Sequence, residues 1–298
     1  MNIQNVVVVG AGTMGNGIAH TFALSGLKVN IIDLSQDKIT DALNNITKNL
    51  ARQVQKGIIT NEQQIKALSN ILGFTELHEG VKDADLVIEA ATENVDIKLK
   101  IFADLDKMCK PSTILASNTS SISITKIAAV TTRPELVIGM HFMNPVPVMK
   151  LVEVIRGFNT SDQTTKQIMD LSVKVGKVPV EVNDYPGFVA NRILMPMINE
   201  AILCLNEGVA GLTEIDTVMK LGMSHPMGPL QLADFIGLDV CLAILNVLYQ
   251  GFGNPKYAPS PLLVNMVAAG QLGVKSGSGF YDYSEGIKGA VVSKKFER

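Results

Sequence analysis

Two residues twelve positions apart, His141 and Glu153, have the types and spacing to move a proton. His141 ends the apolar run Val137 to His141, and Glu153 lies inside the run Leu151 to Ile155; both runs read as strands. The segment between them, Asn144-Pro145-Val146-Pro147-Val148-Met149, reads as a turn. If the two strands pair antiparallel about Pro147, His141 stands opposite Glu153. The carboxylate then holds one imidazole nitrogen and leaves the other for a substrate, as the acid of a hydrolase triad orients its histidine. An imidazole held in this way suits reversible proton transfer near neutral pH. Plainer readings exist for each residue alone. A histidine ending a strand is often a packing or capping group, and Glu153 can be an edge-strand acid facing water. A carboxylate inside LVEVI is nevertheless costly to bury without a partner.

A second constellation stands at the start of the chain, VVVVGAGTMG. Four β-branched residues, Val6 to Val9, read as a buried strand that ends at Gly10. Gly10, Gly12 and Gly15 then fit G-x-G-x-x-G, with Ala11, Thr13 and Met14 completing the loop. The first glycine allows a tight turn, the second a close approach to a pyrophosphate, and the third close helix–strand packing. The helix that follows, about Met14 to Ser25, presents free N–H groups and a positive dipole end to phosphate. A further strand, Lys28 to Ile32, delivers Asp33 eighteen residues after Gly15, where a carboxylate can receive a ribose diol. The combination predicts dinucleotide binding. Leu34, Ser35 and Gln36 supply no cation for a 2′-phosphate, so NAD is expected rather than NADP, with Lys38 the nearest positive charge.

The elements that must position these groups alternate strand and helix over the first 180 or so residues, then turn wholly helical after Asp184. The fold class expected is α/β, a doubly wound Rossmann-type sheet with a helical hairpin insertion, followed by an all-α C-terminal domain. The break falls between residues 1–184 and 185–298. The hairpin, Gln36 to Lys56 and then Glu62 to Leu68, is expected to project from the sheet. On it Lys48, Arg52 and Lys56 share one face at i, i+4 and i+8. Ser120 or Ser121 is placed to cap a helix over Ser121 to Ala129, and Thr213 with Asp216 reads as a variant capping box.

Composition excludes several roles. Lys plus Arg is 26 against 28 Asp plus Glu, which leaves no electrostatic footprint for nucleic acid or an anionic membrane. No apolar run approaches the roughly 18 residues of a membrane helix. The chain enters a strand almost at once, so no signal peptide is expected. Cys109, Cys204 and Cys241 are scattered and odd in number, which points to reduced thiols and the cytoplasm. No metal is called for.

GAGTMG, LASNTSS, HFMNPVPVMKLVEVI, PGFVANRI, KLGMSHPMGPLQLADFIGLD and KSGSGFYDY follow in that order, and together closely resemble the 3-hydroxyacyl-CoA dehydrogenase family from about residue 3 to residue 283. The likeness is strongest to its bacterial single-function branch, which acts on short acyl chains such as 3-hydroxybutyryl and lacks a fused hydratase domain. The resemblance implies His141 as the catalytic histidine, Glu153 as its partner, and Ser120 and Asn191 as active-site residues that meet the substrate. It implies that Asp33, Glu93, Lys98, Asn144 and Lys275 join the glycine loop and Ser120 around NAD, and that Lys56 meets CoA. An acyl-CoA substrate and a homodimer are implied in the same way. Met143 stands where family members often have Phe, a change between two apolar fillers. Two other readings stay open on the residues alone. One is a non-catalytic NAD-binding protein, which should lack part of the Ser120, His141, Glu153 and Asn191 set. The other is a dehydrogenase of a free hydroxy acid.

Overall fold

Strand β1 (Asn5–Val9) buries Val6 to Val9, as a strand covered on both faces must. It lies inside an eight-stranded sheet in the computed structural model, which describes residues 3–297. By contacts the chain divides into Met1–Tyr185 and Pro186–Arg298.

In the first unit β1 is followed by α1 (Thr13–Leu24), β2 (Lys28–Ile32), α2 (Gln36–Gln55), α3 (Asn61–Ser69), β3 (Ile71–Phe74), α4 (Leu77–Val81) and β4 (Leu86–Glu89). Then come α5 (Val95–Met108), β5 (Ile114–Ser117), α6 (Ile124–Ala128), β6 (Val137–Phe142), β7 (Leu151–Arg156), α7 (Asp162–Lys174) and β8 (Val178–Asn183). The order across the sheet is β3-β2-β1-β4-β5-β6-β7-β8, so the winding reverses between β1 and β4. Every pairing is parallel except β6 with β7. Ligands of such sheets sit beyond the carboxyl ends of the strands at the reversal. The antiparallel β7 begins at that same edge, which brings Glu153 up beside His141.

Three local expectations are corrected. The helical hairpin does not simply project: Ile39, Ala42, Ile46 and Leu50 of α2 are buried in the first unit's core, and Lys48, Arg52 and Lys56 are on its exposed side. β3 was not expected. It is a four-residue strand at the sheet edge, and its Gly73 lies under α2, where an added Cβ would come within 2.4 Å of Ile39 Cγ2. Neither Ser120 nor Ser121 caps α6; Ser123 does, accepting from Lys126 N.

The second unit is built on α8 (Ala190–Asn206), α9 (Leu212–Thr217), a π-helical turn over Val218–Gly222, α10 (Pro229–Ile236), α11 (Leu238–Phe252) and α12 (Pro261–Ala268). Their core includes Met195, Ile198, Ile202, Leu230, Leu245, Leu263 and Phe280. It is not strand-free: β9 (Tyr281–Asp282) and β10 (Val291–Val292) form a two-residue antiparallel pair. The Thr213–Asp216 capping box does not form, because Gly211 is the cap of α9. Asp216 caps α10 instead. It accepts from Leu230 N at 2.9 Å and Gln231 N at 3.0 Å, and takes the Tyr281 hydroxyl at 2.7 Å. Asp234 accepts from the backbone N–H groups of Phe280 and Tyr281, and burial pushes its carboxyl up to about 6.

Candidate active site

The dinucleotide loop has the shape its glycines require. Gly10 has φ +106°, and a Cβ there would meet Ala90 O at 2.6 Å; a Cβ on Gly15 would sit 1.8 Å from Gly10 O. Those two glycines are demanded by the chain itself. Gly12 is different, since a Cβ there meets nothing within 4 Å. It caps α1 with no side-chain hydrogen bond to the first-turn N–H groups. The open side of the loop is thus lined by helix N–H donors, which fits a pyrophosphate. Thr13 is exposed and Met14 half-buried at this end, while Ala11 N donates to Asp33 Oδ2 at 2.9 Å. Lys38 Nζ lies 4.0 Å from Asp33 Oδ1.

The loops after β4 and β5 are tied together by carboxylates. Glu93 Oε1 accepts from Ser120 N at 2.8 Å, Ser120 Oγ at 3.0 Å, Ser121 N at 3.1 Å and Ser121 Oγ at 3.0 Å. Beneath lies an ion pair of Lys98, 1 % exposed, with Glu89, 0 % exposed. Ser117 Oγ donates to Glu89 Oε2 at 2.8 Å, Ala91 N donates to Oε1 at 2.9 Å, and Glu93 Oε2 is 3.8 Å from the same ammonium. Lys98, which the motifs imply among the cofactor contacts, is buried here against these two carboxylates. That Glu89, the acid at the end of β4, pairs with Lys98 is not legible in the sequence. The only sequence signal for it was an acid ending an apolar strand.

At the end of β6 the register sets His141 directly opposite Glu153. Their side chains, 11 % and 3 % exposed, are joined from Nδ1 to Oε2 at 2.8 Å. Asn118 Oδ1 accepts from Phe142 N at 2.9 Å, which fixes the loop after β5 to the end of the histidine strand. Asn144, two residues beyond Phe142, is exposed at the same edge.

This combination of a dinucleotide loop and a buried imidazole–carboxylate pair at one edge of a doubly wound sheet is matched by family. The NAD binding domain of 3-hydroxyacyl-CoA dehydrogenase matches residues 5–185, and the family's C-terminal domain matches residues 187–283. The chain belongs to the 3-hydroxyacyl-CoA dehydrogenase family. Its cofactor is NAD.

Full-length relatives agree. A probable 3-hydroxybutyryl-CoA dehydrogenase of Bacillus subtilis is 57% identical over 96% of this chain and 99% of the relative. The 3-hydroxybutyryl-CoA dehydrogenase of Clostridioides difficile is 53% identical, over 95% of this chain and all of its own length (100%). The crystal structure of (S)-3-hydroxybutyryl-CoA dehydrogenase from Ralstonia eutropha superposes with a TM-score of 0.93 at 52% identity, covering 95% of this chain and 100% of that one.

The remaining residues that the family motifs single out are placed as follows. Lys56 is exposed at the C-terminal cap of α2. Asn191 and Lys275 belong to the second unit. Asn191 is buried in the first turn of α8, and Lys275 forms an ion pair with Asp239.

Proposed function

We propose that this protein interconverts (S)-3-hydroxyacyl-CoA and 3-oxoacyl-CoA with NAD(H), on a short acyl chain such as 3-hydroxybutyryl. It would act as a cytoplasmic homodimer in fatty acid or butyrate metabolism. The observation that carries the reading is the His141–Glu153 hydrogen bond at the carboxyl edge of the sheet. Nδ1 is held by the carboxylate, and the ring's other nitrogen, Nε2, is the one assigned to the substrate hydroxyl. In the oxidative direction His141 takes the C3 hydroxyl proton; in reverse it returns that proton to the developing alkoxide. Glu153 holds the ring's tautomer and stabilises the charge that the ring gains. Bound NAD supplies the hydride acceptor, and NADH the donor. Glu93 fixes the Ser120 backbone and hydroxyl, which supports the role its motif gives Ser120, a contact to both substrate and cofactor. Asn144 would contact the cofactor, as would Lys275; Asn191 would hydrogen-bond the acyl-CoA. These three roles rest on their motifs.

The dimer is supported by apolar side chains on the surface of the second unit, among them Ile193, Val218, Leu221 and Met223. The compartment is supported by three cysteines that remain free thiols. Among the described residues no single helix is long and apolar enough to cross a membrane.

Loss of NADH absorbance with acetoacetyl-CoA tests the activity. Turnover of the CoA ester, with NADH preferred over NADPH by at least about tenfold because a 2′-phosphate would meet the Asp33 carboxylate, is the expected result. Equal efficiency with free acetoacetate would move the protein to hydroxy-acid chemistry, and no turnover of either would make it a binding protein.

The exposed stripe Lys48, Arg52 and Lys56 is assigned to the phosphates of CoA, with Lys56 foremost. Remote binding of this kind holds a thioester in register for reaction. Lys56→Glu should raise KM for acetoacetyl-CoA about threefold or more at low salt and less at high salt, where screening weakens exposed charge contacts. KM for NADH should stay constant. An unchanged KM for acetoacetyl-CoA after reversal of all three charges would make the stripe ordinary surface.

A further inference from the structure

The turn between the histidine strand and the glutamate strand cannot satisfy its own backbone. Residues 144–149 include prolines at 145 and 147, which have no N–H to donate. The Pro145 carbonyl is met within the turn, by Val148 N at 3.0 Å and Met149 N at 2.9 Å. The carbonyls of Val146 and Met149 are met from outside. Lys177 Nζ donates to both, to Met149 O at 2.8 Å. A buried polar backbone group without such a partner costs as much as a lost hydrogen bond.

Lys177 is 7 % exposed, and no carboxylate of the described residues lies within ion-pair distance of its ammonium. Buried lysines ordinarily pair with an acid. This one is held by carbonyl oxygens, and burial keeps it below the usual lysine range. Its backbone is pinned on both sides. Gly176, at φ +78°, ends α7, where Lys177 N donates to Ser172 O at 2.9 Å, and Val178 N donates to Lys150 O at 2.8 Å.

The opposite wall of the turn is α1, the helix that begins at the dinucleotide loop. Gly17 of α1 lies against the turn so closely that a Cβ there would stand 2.9 Å from Val146 Cβ and 3.5 Å from Pro147 Cδ. His20, one helical turn further along α1, is kept below the usual histidine range by burial, with Gln53 opposing and the Lys177 charge adding to the effect. The turn is thus wedged between a helix face with no room to give and an ammonium reaching in from the start of β8.

We propose that Lys177 is a positioning residue for the reaction: it clamps the 144–149 turn onto Gly17, and so sets how β6 and β7 present His141 to Glu153. This rests on the proton-transfer role proposed above for that pair. The ammonium touches no reacting atom; it acts through the turn.

Lys177→Met keeps the apolar stem and removes the donors. Its kcat for acetoacetyl-CoA reduction should fall roughly tenfold to a hundredfold, the scale of an ångström's misplacement, with KM values changed less than about twofold. Introduced into His141→Ala, the same substitution should cost less than about twofold more, because the group it positions is already gone. Gly17→Ala, which presses on the turn from the other wall, should show the same kcat-against-KM split, and carries the test if Lys177→Met does not fold. A folded Lys177→Met with lower Tm but kcat within about twofold of the unmodified protein overturns the clamp, as does an equal cost with and without His141. Should His141→Ala itself keep full kcat, the proton-transfer reading fails and takes with it the clamp's link to the chemistry.

Discussion

Replacing His141 by alanine is expected to lower kcat for acetoacetyl-CoA reduction by roughly 10²–10⁴, the range over which a positioned acid or base contributes. The physical case is the geometry at β6. One ring nitrogen is bound to a carboxylate that is itself almost fully buried, so the ring has a defined tautomer and a defined direction. NADH affinity should be little changed, since the glycine loop and Asp33, the groups proposed to hold the cofactor, lie on other strands. Glu153→Gln should give a smaller fall. A glutamine amide can donate to Nδ1 where the carboxylate can only accept, and this places the proton on Nε2, the nitrogen that must take one from the alcohol. A His141→Ala variant that kept more than about a tenth of the turnover, under conditions where chemistry is limiting, would remove His141 from the proton path.

Lys98→Met should be the most destabilising change considered. It leaves Glu89, 0 % exposed, facing Ser117 and the loop after β4 with no cation. Removing one partner of a buried ion pair costs about 3–5 kcal/mol, a large share of the roughly 5–15 kcal/mol that holds a domain folded. The lower end is expected here, because Glu89 keeps hydrogen bonds from Ala91 N and Ser117 Oγ. Urea denaturation followed by circular dichroism measures the loss, and Glu89→Gln added to Lys98→Met should recover part of it by removing the stranded charge. A loss under about 1 kcal/mol would mean that the Lys98–Glu89 pair does not hold these loops in place.

What the amino-acid sequence determined by itself was whatever depends on short range. The glycine spacing is one such case, since the third glycine is required by an atom of the loop itself, Gly10 O. The His141–Glu153 pairing is another. A short proline-rich turn between two apolar runs leaves one sensible antiparallel register, and that register alone places an imidazole across from a carboxylate. The doubly wound order follows from alternating strand and helix, and the helical second half from the loss of that alternation after Asp184.

Tertiary structure decided what depends on groups far apart in the chain. Gly73 makes sense only once α2 lies across β3, which is why the edge strand was unreadable and why the hairpin was expected to stand free. Asp216 lies three residues after Thr213 but caps a helix fourteen residues on, because Leu230 N is brought to it by packing. Lys98 reads locally as an ordinary helix cation; only the convergence of β4 and β5 beneath α5 turns it into a buried partner of Glu89. Lys177 lies in the chain between Gly176 and β8, yet it reaches two carbonyls some thirty positions back. In each case the deciding cost is that of burying a charge or a backbone polar group. That cost exists only once distant segments exclude water from the same place.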